Sequence, residues 1–170
     1  MPERIADFTL ESVAWSDPRA VAMRALMDVE MSARYARRVP GFGDAAADDT
    51  ITAALAVDPA DVVATVLALD TDGAALGHAS LRMLRGDWEV KRVIVASEAR
   101  GRGVALAIMA ELARIASAAG ASRLILQTGD RQPEAVALYE KLGYTPIAIY
   151  EPYVEAIPFS LCFEKLLPIR

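Results

Sequence analysis

A glycine-rich turn in the second half of the chain constrains its fold more than any other feature. Residues 100–105 read RGRGVA, after an apolar, β-branched segment at 93–95 and before an amphipathic helical pattern at 104–119. Glycine lets the backbone of such a turn approach a ligand closely. Because the first turn of a helix offers unpaired N–H groups and a partial positive charge, this order of elements predicts a site for a phosphate or a pyrophosphate.

Composition limits the class of protein. The 170 residues are 54% hydrophobic, which suits one domain spanning residues 1–170. A formal net charge of −5 argues against a nucleic-acid partner, because such partners need a basic face. The single cysteine indicates a reducing cytoplasm, and the single histidine argues against a metal site. We see no signal peptide and no long apolar run, so we expect no membrane partner.

The first half of the chain shows the alternation and turns of antiparallel strands. A short strand is predicted at 8–13, and Asp17 and Pro18 begin a helix that extends to about Arg38. The alanine-rich region 45–61 is ambiguous between helix and loop. Three longer strands joined by tight turns are predicted at 62–69, 74–84 and 88–95.

The second half of the chain shows helical periodicity between its strands. The helix at 104–119 carries one apolar face and stops at Gly120, and a second helix begins at Pro133 and stops at Gly143. A strand–helix–strand unit implies a parallel pair of strands. The fold class is therefore α/β, with a mixed sheet and helices on both faces. Its further strands are predicted at 123–127, 144–150 and 160–166.

Two motifs stand at the starts of these two helices. The turn gives Arg100-x-x-Gly103-x-Ala105, and the second helix gives Gln132-x-x-Ala135-x-x-Leu138-Tyr139 followed by Gly143-Tyr144. Together they resemble the two fingerprints of the GNAT superfamily of N-acetyltransferases, over residues 88–166. At Gln132 the sequence departs from the family, which often has asparagine there as an amide that touches the cofactor.

The resemblance implies a GNAT-like acyl-CoA N-acyltransferase fold with six to seven strands, which transfers acetyl from acetyl-CoA to an amine. The pyrophosphate would lie on the backbone N–H groups of 101–105. The pantetheine arm would pair as an added strand along 93–95, in a slot opposite 124–127, where a backbone N–H near Val93 or Ile94 would hold the oxyanion. The implied cofactor-binding residues are Val93, Ile94, Val95, Arg100, Gly101, Arg102, Gly103, Val104, Ala105 and Gln132.

Acetyl transfer to an amine needs a base and an acid, because an alkyl amine is mostly protonated at neutral pH. Glu89, four residues before Val93, is the candidate base, since related enzymes often carry a glutamate there. Tyr139 is the candidate acid for the leaving thiolate, at the position from which the family places a phenol near the coenzyme A sulfur. Cys162 stands in an apolar strand and is expected to pack in the core, and His78 lies between small residues of a strand and is expected to be structural or exposed rather than catalytic.

The acceptor is less constrained than the donor. Acidic residues in 43–61, with Glu151 and Glu155, suit a cationic amine, a description that fits small polyamines, aminoglycosides, amino acids and protein N-termini. Among these we expect a small molecule, and Tyr35 is a candidate contact. A catalytically silent acyl-CoA sensor, a protein N-acetyltransferase and a non-enzymatic interaction module stay open as alternatives. By analogy with the superfamily we expect a homodimer.

Overall fold

The computed structural model describes residues 7–35 and 45–168, with side chains described from residue 49 onward in the second range. The predicted end of the first helix at Arg38 and the predicted loop at 40–44 lie outside the described residues. The strands are β1 (Thr9–Val13), β2 (Val62–Leu69), β3 (Ala75–Leu84), β4 (Asp87–Val95), β5 (Arg123–Gly129), β6 (Thr145–Ile147) and β7 (Ser160–Leu166). The helices are α1 (Pro18–Tyr35), α2 (Ala45–Leu55), α3 (Val104–Ala118), α4 (Pro133–Lys141) and α5 (Tyr153–Ala156), with short 3₁₀ turns at Pro59–Asp61 and Ser97–Ala99.

The seven strands form one mixed sheet in the order β1-β2-β3-β4-β5-β7-β6. Strands β4 and β5, which α3 connects, pair in parallel. The other neighbouring pairs among the described strands are antiparallel. The predicted α/β class, the strand count, the hairpin-linked strands and the parallel unit are therefore confirmed.

Helices cover both faces of this sheet, as predicted. On one face α3 and α4 build the main core, which includes Ile108, Leu112 and Tyr139. On the other face α1 packs against β2 and β4, and α2 packs against α5. Because successive residues of a strand point to opposite faces, β2, β3 and β4 supply side chains to both layers.

Glycines define the two ends of α3 and allow it to pack closely on the sheet. Gly103 caps its N-terminus at φ +81°, and Gly120 follows its C-terminus at φ +89°. Both values are left-handed conformations that favour glycine. Gly77 of β3 lets α3 approach the sheet, because a Cβ there would lie 2.7 Å from Val104 Cγ1 and 2.8 Å from Ile108 Cδ1.

Two regions differ from the sequence-based expectation. The ambiguous region 45–61 forms helix α2 and a 3₁₀ turn, which Asp58 caps by accepting from the Ala60 N–H at 2.9 Å. The strand expected at 144–150 spans only Thr145–Ile147, because the chain then turns into α5. Tyr153 drives that turn, since its ring is fully buried against Ala54 of α2.

Candidate functional site

The parallel pair β4–β5 is bonded over only part of its length. Its register ends at Val90 opposite Leu126. However, β4 goes on pairing with β3 as far as Val95, and β5 goes on pairing with β7 as far as Gly129. The two strands therefore diverge and open a gap at their carboxyl ends, which we call the wedge.

Backbone groups of β4 face into the wedge. The Ala96 N–H donates to the Leu76 carbonyl of β3 at 2.9 Å. Because successive residues of a strand direct their N–H and C=O groups to opposite sides, Ile94 also faces β3, and Val93 and Val95 face the wedge. This row suits an amide-bearing chain that pairs as an added strand. The Ile94 side chain packs against α1.

The glycine-rich turn lies at the mouth of the wedge. Gly101 and Gly103 have φ values of +77° and +81°. No side chain caps the N-terminus of α3. The first-turn N–H groups, including those of Val104 and Ala105, therefore lack an intrahelical acceptor, and they carry the positive end of the helix dipole. This geometry suits the predicted pyrophosphate.

The two arginines of the turn are placed differently. Arg102 is exposed. Arg100 folds back, so that its Nε donates to the Val95 carbonyl at 3.2 Å and its Nη2 contacts Glu30 of α1 at 2.6 Å. Arg100 thus ties the turn to both β4 and α1.

The β5 edge of the wedge is held by α1 as well. A Cβ on Gly129 would collide with the Tyr35 hydroxyl and lie 3.4 Å from Nε2 of Gln132. The same hydroxyl accepts from the Arg131 N–H at 3.2 Å. Helix α1 therefore spans the wedge, from Glu30 at the β4 edge to Tyr35 at the β5 edge. Gln132 stands beside this second edge.

Glu89 is fully buried, and it belongs to a polar network on the face of α1 and α5. Its carboxylate accepts from Arg82 Nε at 2.7 Å on one oxygen, and from the hydroxyls of Tyr150 at 2.6 Å and Tyr153 at 2.9 Å on the other. The Tyr153 oxygen also accepts from Arg82 Nη2 at 3.1 Å and from Lys91 Nζ at 2.9 Å. We call these five residues the buried cluster.

The cluster has two cationic side chains and one carboxylate in low-dielectric surroundings. Burial lowers the pKa of Lys91 to about 8. Burial and the Glu89 charge raise the pKa of Tyr150 and of Tyr153 well above the usual range. Both phenols are therefore protonated donors at neutral pH, which matches their hydrogen bonds to Glu89.

Tyr139 lies across the sheet from Glu89. It is buried in α4 and packs against Tyr144 and Phe163, and burial raises the pKa of its phenol. Val90, the neighbour of Glu89 in β4, shares this core, so Glu89 points the other way. The two predicted catalytic residues thus flank the sheet from opposite faces.

The remaining candidates are structural in their placement. His78 is fully buried, where its Nδ1–H donates to the Arg92 carbonyl at 2.8 Å and its Nε2 accepts from Arg24 at 3.2 Å. Burial lowers the pKa of His78 to about 4, so the ring is neutral. Cys162 is buried in β7.

Sequence reasoning missed four members of the buried cluster. Arg82 stands directly opposite Glu89 in the β3–β4 hairpin, so counting outward from the turn could have identified the two residues as neighbours. Lys91 is two residues from Glu89 and shares its face. No local signal identifies Tyr150 or Tyr153, because tertiary folding alone returns that loop to β4.

Within 7–35 and 45–168, no group of three or more His, Cys, Asp or Glu side chains could hold a metal ion. No helix in the same part of the chain has the length and apolar character needed to cross a membrane.

A central parallel pair that splays open, with an uncapped helix N-terminus at its mouth, matches the GNAT-like acyl-CoA N-acyltransferase fold. Residues 23–144 match the model of the acetyltransferase (GNAT) family. The chain therefore belongs to the GNAT acetyltransferase family, and the resemblance inferred from its two motifs is confirmed. Acetyl-CoA is the donor substrate of this family.

Individual relatives agree with this assignment. An IAA acetyltransferase from Azospirillum brasilense is 36% identical over 101 residues, which cover 59% of this chain and 58% of that protein. A structure provisionally named an acyl-CoA N-acyltransferase, from Klebsiella pneumoniae, has a TM-score of 0.75 and 25% identity, covering 96% of this chain and 99% of that one. A provisionally named streptothricin acetyltransferase from Bacillus anthracis, solved with acetyl coenzyme A, shares the fold at a TM-score of 0.54 and 16% identity, with 62% of this chain and 63% of that one covered.

Proposed function

We propose that this protein is an N-acetyltransferase that moves the acetyl group of acetyl-CoA to the amine of a small-molecule acceptor, by direct attack in a ternary complex. The observation that carries the proposal is the wedge. It leads from the uncapped start of α3 along the unpaired edge of β4 to the strand segment that holds Glu89.

The donor would occupy the wedge from its mouth at the start of α3 to the point where β4 and β5 separate. Its pyrophosphate would accept hydrogen bonds from the first turn of α3, where the dipole favours an anion. Its pantetheine amides would pair with Val93 and Val95 as an extra strand. The Val93 N–H, which faces the wedge, would polarise the thioester carbonyl and stabilise the tetrahedral oxyanion. Gln132 would supply its side-chain amide from the β5 edge.

Acid–base roles fall to groups on the two faces of the sheet. We assign Glu89 as the acceptor of the amine proton and Tyr139 as the donor to the leaving thiolate. A thiolate with a pKa of about 8.5 is less basic than a phenolate with a pKa of about 10, so full proton transfer from an unperturbed tyrosine costs about 2 kcal/mol. Burial of Tyr139 raises its pKa, so hydrogen bonding to the sulfur is the larger part of its contribution.

A cationic small molecule fits the acceptor side. Asp49 of α2, Glu151 and Glu155 are exposed around the packed pair α2–α5, on the same face as Glu89. Solved neighbours include a nourseothricin acetyltransferase with a TM-score of 0.56 and 25% identity over 65% of this chain and 68% of that one. Its name describes a protein that acts on a small molecule, which supports that acceptor class here.

Two measurements test the proposal against a silent sensor and an interaction module. Thermal unfolding with and without coenzyme A tests donor binding, since ligand at a hundred times its Kd adds about 2.7 kcal/mol of stability. Thiol release from acetyl-CoA is then measured across amines of small molecules, amino acids and peptides. Stabilisation together with amine-dependent thiol release supports the enzyme, and stabilisation without release supports the sensor. The absence of both stabilisation and release supports the interaction module.

A further inference from the structure

We infer that Tyr150 is a catalytic residue that relays the proton of the acceptor amine to Glu89. The inference deepens the proposed function and depends on it. It concerns a residue whose role no sequence motif indicates, and it follows from the hydrogen-bond capacity of the buried cluster.

Glu89 cannot meet an acceptor directly. Its exposed fraction is 0%. One carboxylate oxygen accepts from Arg82, and the other accepts from two phenols. A buried carboxylate with these partners exchanges a proton with a substrate only through a group that touches both.

Tyr153 is not that group. Its hydroxyl donates to Glu89, while both lone pairs of its oxygen accept, from Arg82 Nη2 and from Lys91 Nζ. Its exposed fraction is also 0%. The oxygen has no capacity left for an amine, so Tyr153 holds the cluster together.

Tyr150 has the capacity that Tyr153 lacks. Its hydroxyl donates to Glu89 at 2.6 Å, and no described residue donates to its oxygen. The residue is partly exposed, unlike Glu89 and Tyr153. A hydroxyl whose proton is committed to a carboxylate turns its lone pairs outward, where they can accept from an N–H.

Tyr150 also lies where the donor thioester would end. It follows β6 in the chain, where Ile147 pairs with Cys162 of β7, and Cys162 pairs with Gln127 of β5. Gln127 is one residue beyond the point where β4 and β5 separate. From the side of β5 and β7, the Tyr150 hydroxyl reaches Glu89 on β4. The hydroxyl therefore lies near the point where β4 and β5 separate.

Proton transfer follows attack on the thioester. The amine lone pair attacks the thioester carbonyl carbon, so a C–N bond forms while the C=O π electrons move to the oxygen, which the Val93 N–H would stabilise. The nitrogen, now positive, gives one proton to the Tyr150 oxygen while the Tyr150 proton passes to Glu89. The oxyanion then re-forms the C=O bond as the C–S bond breaks, and the thiolate receives a hydrogen bond or proton from Tyr139. Because the pKa of Tyr150 is raised, the two transfers are coupled and no free phenolate accumulates.

The primary test is Tyr150→Phe in the full chain. We expect kcat to fall at least tenfold, with the KM for acetyl-CoA and the stabilisation by coenzyme A unchanged. The loss should shrink for acceptors whose amine pKa lies below the assay pH, because their nitrogen sheds its proton to water readily. A merely structural role would lower kcat equally for all acceptors, and that result overturns the relay.

Two comparisons sharpen this test. Tyr144→Phe removes a buried phenol on the opposite face of the sheet but keeps the ring that packs against Tyr139, and it should leave kcat unchanged. Tyr150→Phe, Glu89→Gln and the double variant should lose activity by similar factors, since they interrupt one path. If the factor lost in the double variant is instead the product of the two single factors, the two residues act independently and the relay is overturned. If Tyr150→Phe fails to fold, 3,5-difluorotyrosine at position 150 should shift the pH profile of kcat, and an unmoved profile overturns the inference.

Failure of the relay and failure of the proposed function give different results. If Glu89→Gln is inactive but Tyr150→Phe is fully active, the relay is wrong and the acetyltransferase stands. If the wild-type protein binds coenzyme A but none of the amines tested causes release of thiol from acetyl-CoA, the proposed function is wrong, and the relay is overturned with it.

Discussion

At the scale of single residues, burial decides which chemistry each candidate can perform. Glu89 is a charged residue in a strand, yet the structure buries it completely and gives both carboxylate oxygens donors. Removing one partner of a buried ion pair leaves the other charge unpaired, which is costly. We therefore expect Arg82 to be as necessary for the integrity of the site as Glu89 is for its chemistry.

Replacing Tyr139 with phenylalanine should lower kcat at least tenfold with little change in the KM for acetyl-CoA. The phenyl ring keeps the packing against Tyr144 and Phe163, and only the hydroxyl that would meet the thiolate is lost. Steady-state kinetics over a range of acetyl-CoA concentrations checks this. Wild-type turnover in the variant would remove Tyr139 from the mechanism.

Replacing Gly129 with alanine should undock the C-terminal end of α1. The new Cβ would collide with the Tyr35 hydroxyl, and overpacking of this kind costs about 1–3 kcal/mol. Urea denaturation measures the loss of unfolding free energy. The double variant Gly129→Ala/Tyr35→Ala should recover part of it, whereas additive losses would show that the two residues do not compete for space.

At the scale of elements, α1 connects the parts of the donor site. Glu30 contacts both Arg100 at the β4 edge and Arg34 in the next turn of the helix. Arg34 also pairs with Glu134 at the start of α4. These ion pairs are partly exposed and individually weak. Their arrangement nevertheless places one helix across both edges of the wedge.

Replacing Gly103 with alanine should weaken coenzyme A binding about tenfold, or about 1.4 kcal/mol. No atom lies within 4 Å of the added Cβ, so the effect comes from the left-handed backbone at φ +81°, which positions the first-turn N–H groups of α3. Isothermal calorimetry measures the affinity.

Gly86→Ala is the matched control for this variant. Gly86 also has a left-handed backbone, at φ +85°, and open space around its Cβ, but it lies in the β3–β4 turn. It should lose a similar amount of stability and bind coenzyme A normally. Equal losses of affinity in both variants would contradict an anion site at the start of α3.

At the scale of the whole molecule, His78 links stability to pH. Its pKa is about 4 in the folded protein, where burial and the nearby Arg24 and Arg92 disfavour the charged ring, against about 6.5 when unfolded. Between these values the unfolded chain binds a proton that the folded protein does not, so unfolding free energy falls as pH drops from about 6.5 to about 4. The loss amounts to about 3 kcal/mol.

Urea denaturation at pH 7 and pH 4.5 checks this linkage. The wild-type protein should lose more stability between the two pH values than His78→Gln, because glutamine keeps a donor and an acceptor but does not titrate. Comparing the pH slopes removes the contribution of carboxylates that are common to both proteins. Identical slopes would show that His78 does not control acid stability.

Much of the fold and the donor half of the site could be predicted from the sequence. Gly103 and Ala105 mark the turn, Pro133 and Gly143 bound α4, and β-branched runs mark the strands. Such signals are local, since turn, cap and periodicity each depend on a few adjacent residues. The predicted roles of Glu89, Tyr139 and the cofactor-binding residues remain predictions, and the structure gives them a geometry in which those roles are chemically feasible.

By itself, the sequence determined most of the strands and helices, the glycine-rich turn and the membership of the GNAT acetyltransferase family, because short-range patterns encode backbone conformation. Only the tertiary structure decided where β4 and β5 separate, how α1 spans the wedge and which phenols surround Glu89. Those features depend on contacts between residues far apart in the chain, such as Glu89 with Tyr150, which lie 61 positions apart. Burial and hydrogen-bond capacity at such contacts arise only when the chain is packed.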